Sequence, residues 1–204
     1  MAVDFDEAKV IRGGTGLWLG WALATMVGMA LGYLPSALFV DQLELGLARI
    51  VVPLFAGILI GLMQWLVLRR YVHDSGDWVW NMIGSWVAAY TAGFLVVNFL
   101  ARGLLGVIVA YVLFGLIVAL IQWPVLRREI PTLGWWIMAN VFGWGIGAVL
   151  SQLIISFLSV SGAAPSLLVT TLINSIVTGL VAGLITGAAL VSIVRQPDAA
   201  GMAR

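Results

Sequence analysis

Gln64-Trp65-Leu66-Val67-Leu68-Arg69-Arg70 occurs a second time in this chain, as Gln122-Trp123-Pro124-Val125-Leu126-Arg127-Arg128. Six of the seven positions are identical, and the copies lie 58 residues apart in a chain of 204 residues. Each copy ends a long apolar stretch with a polar amide, a tryptophan and two arginines. An internal repeat of this kind indicates that the protein is built from copies of one unit.

The composition is that of an integral membrane protein. Hydrophobic residues make up 62% of the chain and charged residues only 9%, which is too few to cover a soluble domain. Apolar stretches of about 20 residues recur, the length of a helix that crosses roughly 30 Å of hydrocarbon. We predict an all-α integral membrane bundle of six transmembrane helices. The predicted spans are about 15–38, 50–68, 78–100, 103–126, 133–158 and 166–194.

The repeat extends beyond the opening motif and divides a single membrane domain (1–204) into three two-helix units. The pattern Trp21-x3-Thr25-x2-Gly28-x3-Gly32 matches a second one that begins at Trp136, and more loosely a third that begins at Trp80. The predicted units are about 12–70, 77–128 and 131–195, with short tails at both ends. They are parallel copies, so an axis along the membrane normal relates them. A pseudo-threefold ring is the simplest arrangement, and two-plus-one packing is the alternative.

Positive charge is divided unevenly between the two sides of the predicted bundle. One side carries eight Lys and Arg residues and the other carries two, Arg49 and Arg102. Short loops rich in Lys and Arg stay in the cytoplasm. We therefore predict a multi-pass protein of the bacterial cytoplasmic (inner) membrane with both termini in the cytoplasm. The eight residues are Lys9, Arg12, Arg69, Arg70, Arg127, Arg128, Arg195 and Arg204.

The repeated motif has two interpretations. In the first, it is an interfacial anchor, since the Trp and the first Arg are four residues apart and the Arg can stack on the indole while reaching the headgroups. In the second, it binds anionic headgroups or another membrane subunit on the cytoplasmic side. Nucleic acid is not expected, because two short loops make no extended basic surface. The candidate contact residues are Gln64, Trp65, Arg69, Arg70, Gln122, Trp123, Arg127 and Arg128.

The sequence offers little for catalysis, metals or cofactors. It contains no cysteine and one histidine, His73, in a predicted loop. No predicted span has an Asp, Glu, Lys, Arg or His near its middle, where proton relays and ion paths place theirs. We therefore predict a non-enzymatic protein without a catalytic site, metal or cofactor. The remaining polar groups are neutral, and a cavity, if one exists, is predicted at Gln152, Asn174 and Thr178 in the outer halves of spans 5 and 6.

With its repeated Gln-Trp-x-Val-Leu-Arg-Arg helix ends, the chain resembles a loose group of small bacterial polytopic membrane proteins over nearly all of residues 12–195. The resemblance implies architecture and no activity. Mitochondrial-type carriers also use three two-helix repeats, but their Pro-x-Asp/Glu-x-x-Lys/Arg signature is missing here. The six-helix subunits of vitamin importers share size and topology only.

Two functions remain open from the sequence. The first is a membrane protein that acts by helix packing, lipid contact or assembly with other membrane subunits. The second is a binding or transport component for a small neutral or amphiphilic molecule, such as a lipid, pigment or quinone. A bundle packed solid to its outer face would argue against the second function. A vestibule lined by Gln152, Asn174 and Thr178 would favour it.

Overall fold

The computed structural model describes residues 5–39, 45–72, 75–100, 103–127 and 133–194, and these residues form helices and short turns without any strand. A single 3-10 turn, Ser75–Asp77, precedes the third helix, and a π-helical turn, Val96–Leu100, follows it. The six α-helices are α1 (Phe5–Phe39), α2 (Leu45–Leu68), α3 (Trp78–Leu95), α4 (Gly103–Leu126), α5 (Leu133–Val160) and α6 (Leu167–Val194).

All six helices are long and apolar enough to cross a membrane, which confirms the predicted fold class. Their apolar spans match the predicted ones to within a few residues, but two helices are longer than expected. The helix α1 starts at Phe5 and runs through Pro35 to Phe39, and α2 starts at Leu45 instead of near residue 50. Apolar runs mark only the part of a helix that lies in lipid, so they do not reveal helical turns beyond it.

The helices form a ring in chain order. Among the described residues, the extensive contacts join α1 to α2, α2 to α3, α3 to α4, α4 to α5 and α5 to α6, and α6 closes the ring on α1. Consecutive membrane helices joined by short loops are antiparallel neighbours, which accounts for the order. Closure follows from the contact between the first and last helices. That the ring consists of three copies of one unit stays a prediction.

Small residues bring the helix backbones together at two contacts in particular. A Cβ placed on Gly115 would lie 2.7 Å from the Asn140 carbonyl oxygen on α5. A Cβ placed on Gly183 would lie 2.7 Å from Ala22 Cα, across the α6–α1 contact that closes the ring. Lipid is as apolar as leucine, so helices in a bilayer associate through such close approaches instead of by hiding apolar side chains.

Three tryptophans meet inside the ring, one each from α1, α3 and α5. The ring centroids of Trp21 and Trp78 are 5.4 Å apart, and Trp136 is 6.4 Å from each of them. We call this cluster the tryptophan triad. The end of the bundle nearer to the triad is the tryptophan end, and the opposite end is the far end. The third member is Trp78 and not Trp80, the residue that the sequence pattern aligned with Trp21. Trp80 is 73% exposed, whereas Trp78 is completely buried.

The shift from Trp80 to Trp78 has a simple explanation. Counting from Trp78, the pattern continues with Met82, Ser85 and Ala89, all of them buried. Counting from Trp80, it continues with Gly84, which faces open space. Two small residues, Ser85 and Ala89, thus occupy the places that glycines hold in α1 and α5. Matching by residue identity favoured glycine and therefore started from the exposed Trp80 instead of the buried Trp78.

Candidate functional site

A second aromatic cluster lies above the triad, toward the far end. Phe114 of α4 packs edge-on against Trp86 at 4.9 Å and lies 5.3 Å from Trp144, and the two tryptophans are 5.7 Å apart. Aromatic pairs at these distances and tilts are favourable beyond their buried area. All three side chains are buried. Together they form a floor across the inside of the ring.

A cavity of about 320 Å³ lies on this floor, and we call it the vestibule. Its walls come from five of the six helices, so it lies within the bundle and not on one helix pair. The volume is within the range of pockets that bind small molecules, roughly 300–1,000 Å³. The lining residues are Met29, Tyr33, Trp86, Ala89, Tyr90, Gly93, Phe94, Val97, Asn98, Ala110, Tyr111, Phe114, Trp144, Asn174 and Thr178.

Three tyrosines contribute hydroxyl groups to the lining of the vestibule. Tyr33 and Tyr90 interact through their hydroxyls, and the Tyr111 hydroxyl interacts with the Asn174 side chain. Asn174 also accepts a hydrogen bond from the Ser151 hydroxyl at 2.8 Å. A phenol inside a bilayer needs a polar partner for its O–H group. The vestibule is therefore apolar and aromatic with a few fixed neutral groups.

One polar group on the floor has no partner. Trp86 lines the vestibule and is 1% exposed, and its indole N–H donates to no group among the described residues. The other floor tryptophan differs, since Trp144 donates to Asn140 Oδ1 at 3.2 Å. A buried donor without an acceptor costs free energy, on the order of 1–3 kcal/mol.

The lining contains no residue that carries a charge at neutral pH. Within the described part of the chain there is also no group of three or more His, Cys, Asp or Glu residues that could hold a metal ion. A charged ligand would therefore enter this site without a counter-charge, which is costly in a medium of low dielectric constant. The vestibule suits a neutral molecule.

The interior is closed below the floor. The tryptophan triad fills the interior there. Beyond the triad, on the side away from the vestibule, four leucines are each at most 1% exposed: Leu17, Leu68, Leu126 and Leu190. From Trp78 to Trp86 of the floor the helix rises by about 12 Å, so this closed part spans more than a third of the roughly 30 Å hydrocarbon core. The vestibule is thus a pocket that ends inside the bundle and not a continuous pore.

Polar side chains hold the triad in place. Trp21 donates to Thr186 Oγ1 at 3.0 Å, and Trp78 donates to Gln64 Oε1 at 3.3 Å. The Gln64 amide donates in turn to Thr25 Oγ1 at 2.8 Å. Gln122, the second glutamine of the repeated motif, is 2% exposed and places its amide nitrogen 3.6 Å from Met82 Sδ. Both glutamines therefore point into the bundle and not toward lipid headgroups.

The other motif residues lie at the surface of the tryptophan end. The Arg69 guanidinium carbon is 4.9 Å from the centre of the Trp65 ring, the stack that the four-residue spacing predicts. Arg69, Arg70 and Arg127 are exposed, and Trp65 and Trp123 are half-buried against the core. Arg128 lies outside the described residues. The motif therefore divides into an inward glutamine and an outward aromatic and basic part.

The predicted cavity residues are only partly brought together. Asn174 and Thr178 both line the vestibule, but Gln152 does not. Gln152 is exposed and lines a groove between α4 and α5. One residue corresponds to a rotation of about 100° around a helix, so the inward position belongs to its neighbour Ser151. Ser151 is fully buried and contacts both Asn174 and Thr178.

Sequence reasoning missed the aromatic part of the site. Tyr33, Tyr90 and Tyr111 were not singled out, although they are three of only four tyrosines in the chain. Each lies well inside an apolar span and away from the tryptophan-rich helix ends. A tyrosine at such a depth must pair its hydroxyl, and that requirement is the feature by which the site could have been found.

Comparison of the chain with family models, curated proteins and solved structures gave no match. The geometry of the vestibule therefore carries the functional argument by itself.

Proposed function

We propose that this protein is a non-enzymatic membrane protein that binds a small neutral amphiphile in the vestibule, by a planar head group with acceptor oxygens. The observation that carries this proposal is the vestibule itself, with its floor of Trp86, Phe114 and Trp144 and its uncharged walls. Aromatic walls favour a flat ring. The tyrosine hydroxyls and asparagine amides of the lining favour oxygen acceptors, such as a quinone carbonyl.

The closed interior supports binding over conduction. A channel needs a path through the bundle, and the triad and the leucines below it fill that path. In the proposed orientation, which rests on the uneven distribution of Lys and Arg, the vestibule faces away from the cytoplasm of a bacterium. The protein would then take up its ligand from the outer half of the inner membrane and retain it or deliver it there.

Tryptophan fluorescence tests the proposal, because two tryptophans form part of the floor. The protein is placed in lipid nanodiscs and titrated with 2-methyl-1,4-naphthoquinone, a neutral planar ring without a chain. We expect saturable quenching. The variant Ala110→Phe, which fills the vestibule, is expected to weaken binding at least tenfold. Its control is Ala88→Phe, an equal change at an exposed position of α3. Non-saturable quenching, or equal quenching in both variants, would contradict the proposal.

A second candidate function is favoured by the basic residues at the tryptophan end. Arg69, Arg70 and Arg127 are exposed beside Trp65 and Trp123, an arrangement that suits anionic lipid headgroups or an acidic surface of another membrane subunit. This contact would be additional to the vestibule, since the two surfaces lie at opposite ends of the bundle. This second candidate corresponds to the first function that the sequence suggests, which is action through lipid contact or assembly with other membrane subunits.

A further inference from the structure

An apolar groove runs along the outside of the ring between α4 and α5. It encloses about 500 Å³ and is lined on one side by residues such as Val107 and Val112 and on the other by residues such as Ile146 and Leu153. Three of these four side chains, Val112, Ile146 and Leu153, are exposed. In a membrane this surface faces hydrocarbon. The α5 side extends from Val141 to Ser156, about 22 Å at 1.5 Å per residue.

Tyr111 separates this groove from the vestibule. The same side chain lines both cavities, and it is half-buried between them. On the vestibule side its hydroxyl interacts with Asn174. Among the described residues, Tyr111 is the one that lines both the groove and the vestibule, so its side chain stands between the two cavities.

We infer that the groove holds the hydrocarbon chain of the ligand whose head group lies in the vestibule, and that Tyr111 is the lateral gate between them. This inference rests on the proposed function. An amphiphile dissolved in the bilayer cannot cross the aqueous phase readily, so it reaches a site inside the ring most directly from the lipid. Rotation of one ring opens that route, and the chain remains in apolar surroundings throughout.

The lining of the groove agrees with a hydrocarbon occupant. Apart from Tyr111, the polar residues of the groove are Gln152 and Ser156. Both lie in the part of α5 nearest the far end. A Cβ built on Gly145 would meet no atom within 4 Å, which leaves the middle of the groove open to a chain. The groove is also longer than one leaflet, which is about half of roughly 30 Å. The inferred ligand class is a neutral ring carrying a single long chain.

Photocrosslinking tests where the chain lies. The probe is 2-methyl-1,4-naphthoquinone carrying a decyl chain with a diazirine at its middle, and the labelled peptides of the full-length protein in nanodiscs are mapped. We expect label on the groove faces of α4 and α5, lost when the head-only ring is added in excess. Gly145→Leu should remove at least 80% of that label without altering quenching by the head-only ring. The matched control is Gly84→Leu, a helical glycine that also faces open space but on α3.

The outcomes separate the two proposals. Head-only quenching together with label spread evenly over all lipid-facing helices, or unchanged by Gly145→Leu, would overturn the groove and leave the vestibule intact. Absence of saturable quenching by either ring would overturn the proposed function itself.

The variant Tyr111→Phe tests the gate, because it keeps the aromatic ring but loses the contact with Asn174. We expect it to speed probe entry at least threefold in stopped-flow quenching. Unchanged entry would overturn the gate.

Discussion

The Trp78 indole donates a hydrogen bond to Gln64 Oε1 at 3.3 Å, across the contact between α2 and α3. Fourteen residues also separate Gln122 from Trp136, yet Gln122 Oε1 and Trp136 Nε1 are both buried without a hydrogen-bond partner among the described residues. Around the tryptophan triad, one glutamine–tryptophan pair is thus hydrogen-bonded and the other is not. The two glutamines of the repeated motif are therefore expected to differ in their contribution to stability.

Replacing Gln64 by Leu is expected to destabilise the bundle more than replacing Gln122 by Leu. The first change leaves the Trp78 N–H buried and unpaired, which costs about 1–3 kcal/mol. The second removes an oxygen that already lacks a partner and a weak contact to sulfur, so it should cost under about 1 kcal/mol. Unfolding by SDS in mixed micelles measures both. Equal losses of unfolding free energy, or a larger loss for Gln122→Leu, would show that the hydrogen bond between Trp78 and Gln64 does not account for the stability difference.

Trp78 and Trp80 provide a test of the register of α3. Trp78→Ala empties a fully buried site and should cost about 3–5 kcal/mol, whereas Trp80→Ala changes an exposed side chain and should stay within about 0.5 kcal/mol. The same unfolding assay compares them. If the Trp78→Ala protein does not accumulate in cells, the milder variants Trp78→Phe and Trp80→Phe are compared instead. A larger loss at Trp80 would restore the alignment suggested by the sequence pattern.

The arginines of the repeated motif should govern retention of anionic lipid. Replacing Arg69, Arg70, Arg127 and Arg128 together by Gln removes four positive charges, each worth about 1 kcal/mol near an anionic surface. We expect phosphatidylglycerol carried through purification, counted by native mass spectrometry, to fall at least tenfold. The control is Arg102→Gln, on the opposite side of the bundle by sequence. Unchanged lipid retention would leave the motif with the role of an interfacial anchor only.

The sequence predicts the membrane-spanning architecture well because length and hydrophobicity alone determine which segments can cross a bilayer. It predicts which helix faces touch less well. Leu, Val and Ile serve equally against lipid and against protein, so apolar patterning does not mark the interior of a membrane bundle. Polar residues do mark it, and Gln64, Asn140 and Thr178 are all buried. Ser85 and Ala89 are buried too, although the sequence pattern did not include them.

The candidate site, like the helix contacts, was predicted only in part. Asn174 and Thr178 were identified because a neutral polar residue in an apolar span needs a reason to be there. Gln152 was assigned to the wrong face, since one residue of error rotates a side chain by about 100°. The aromatic floor was not foreseen. Only the distances of Trp86 and Trp144 from Phe114 show that the three side chains form one surface across the ring.

The contact between α6 and α1 has a consequence for how the protein is made. Trp21 finds its hydrogen-bond partner in Thr186, 165 residues later in the chain. A ribosome adds about 5–20 residues each second, so α1 waits for many seconds in the membrane before α6 arrives. During that interval the nascent protein is an open arc whose two edges are unpaired. Insertion of α6, and not of any earlier helix, is therefore the step that closes the ring.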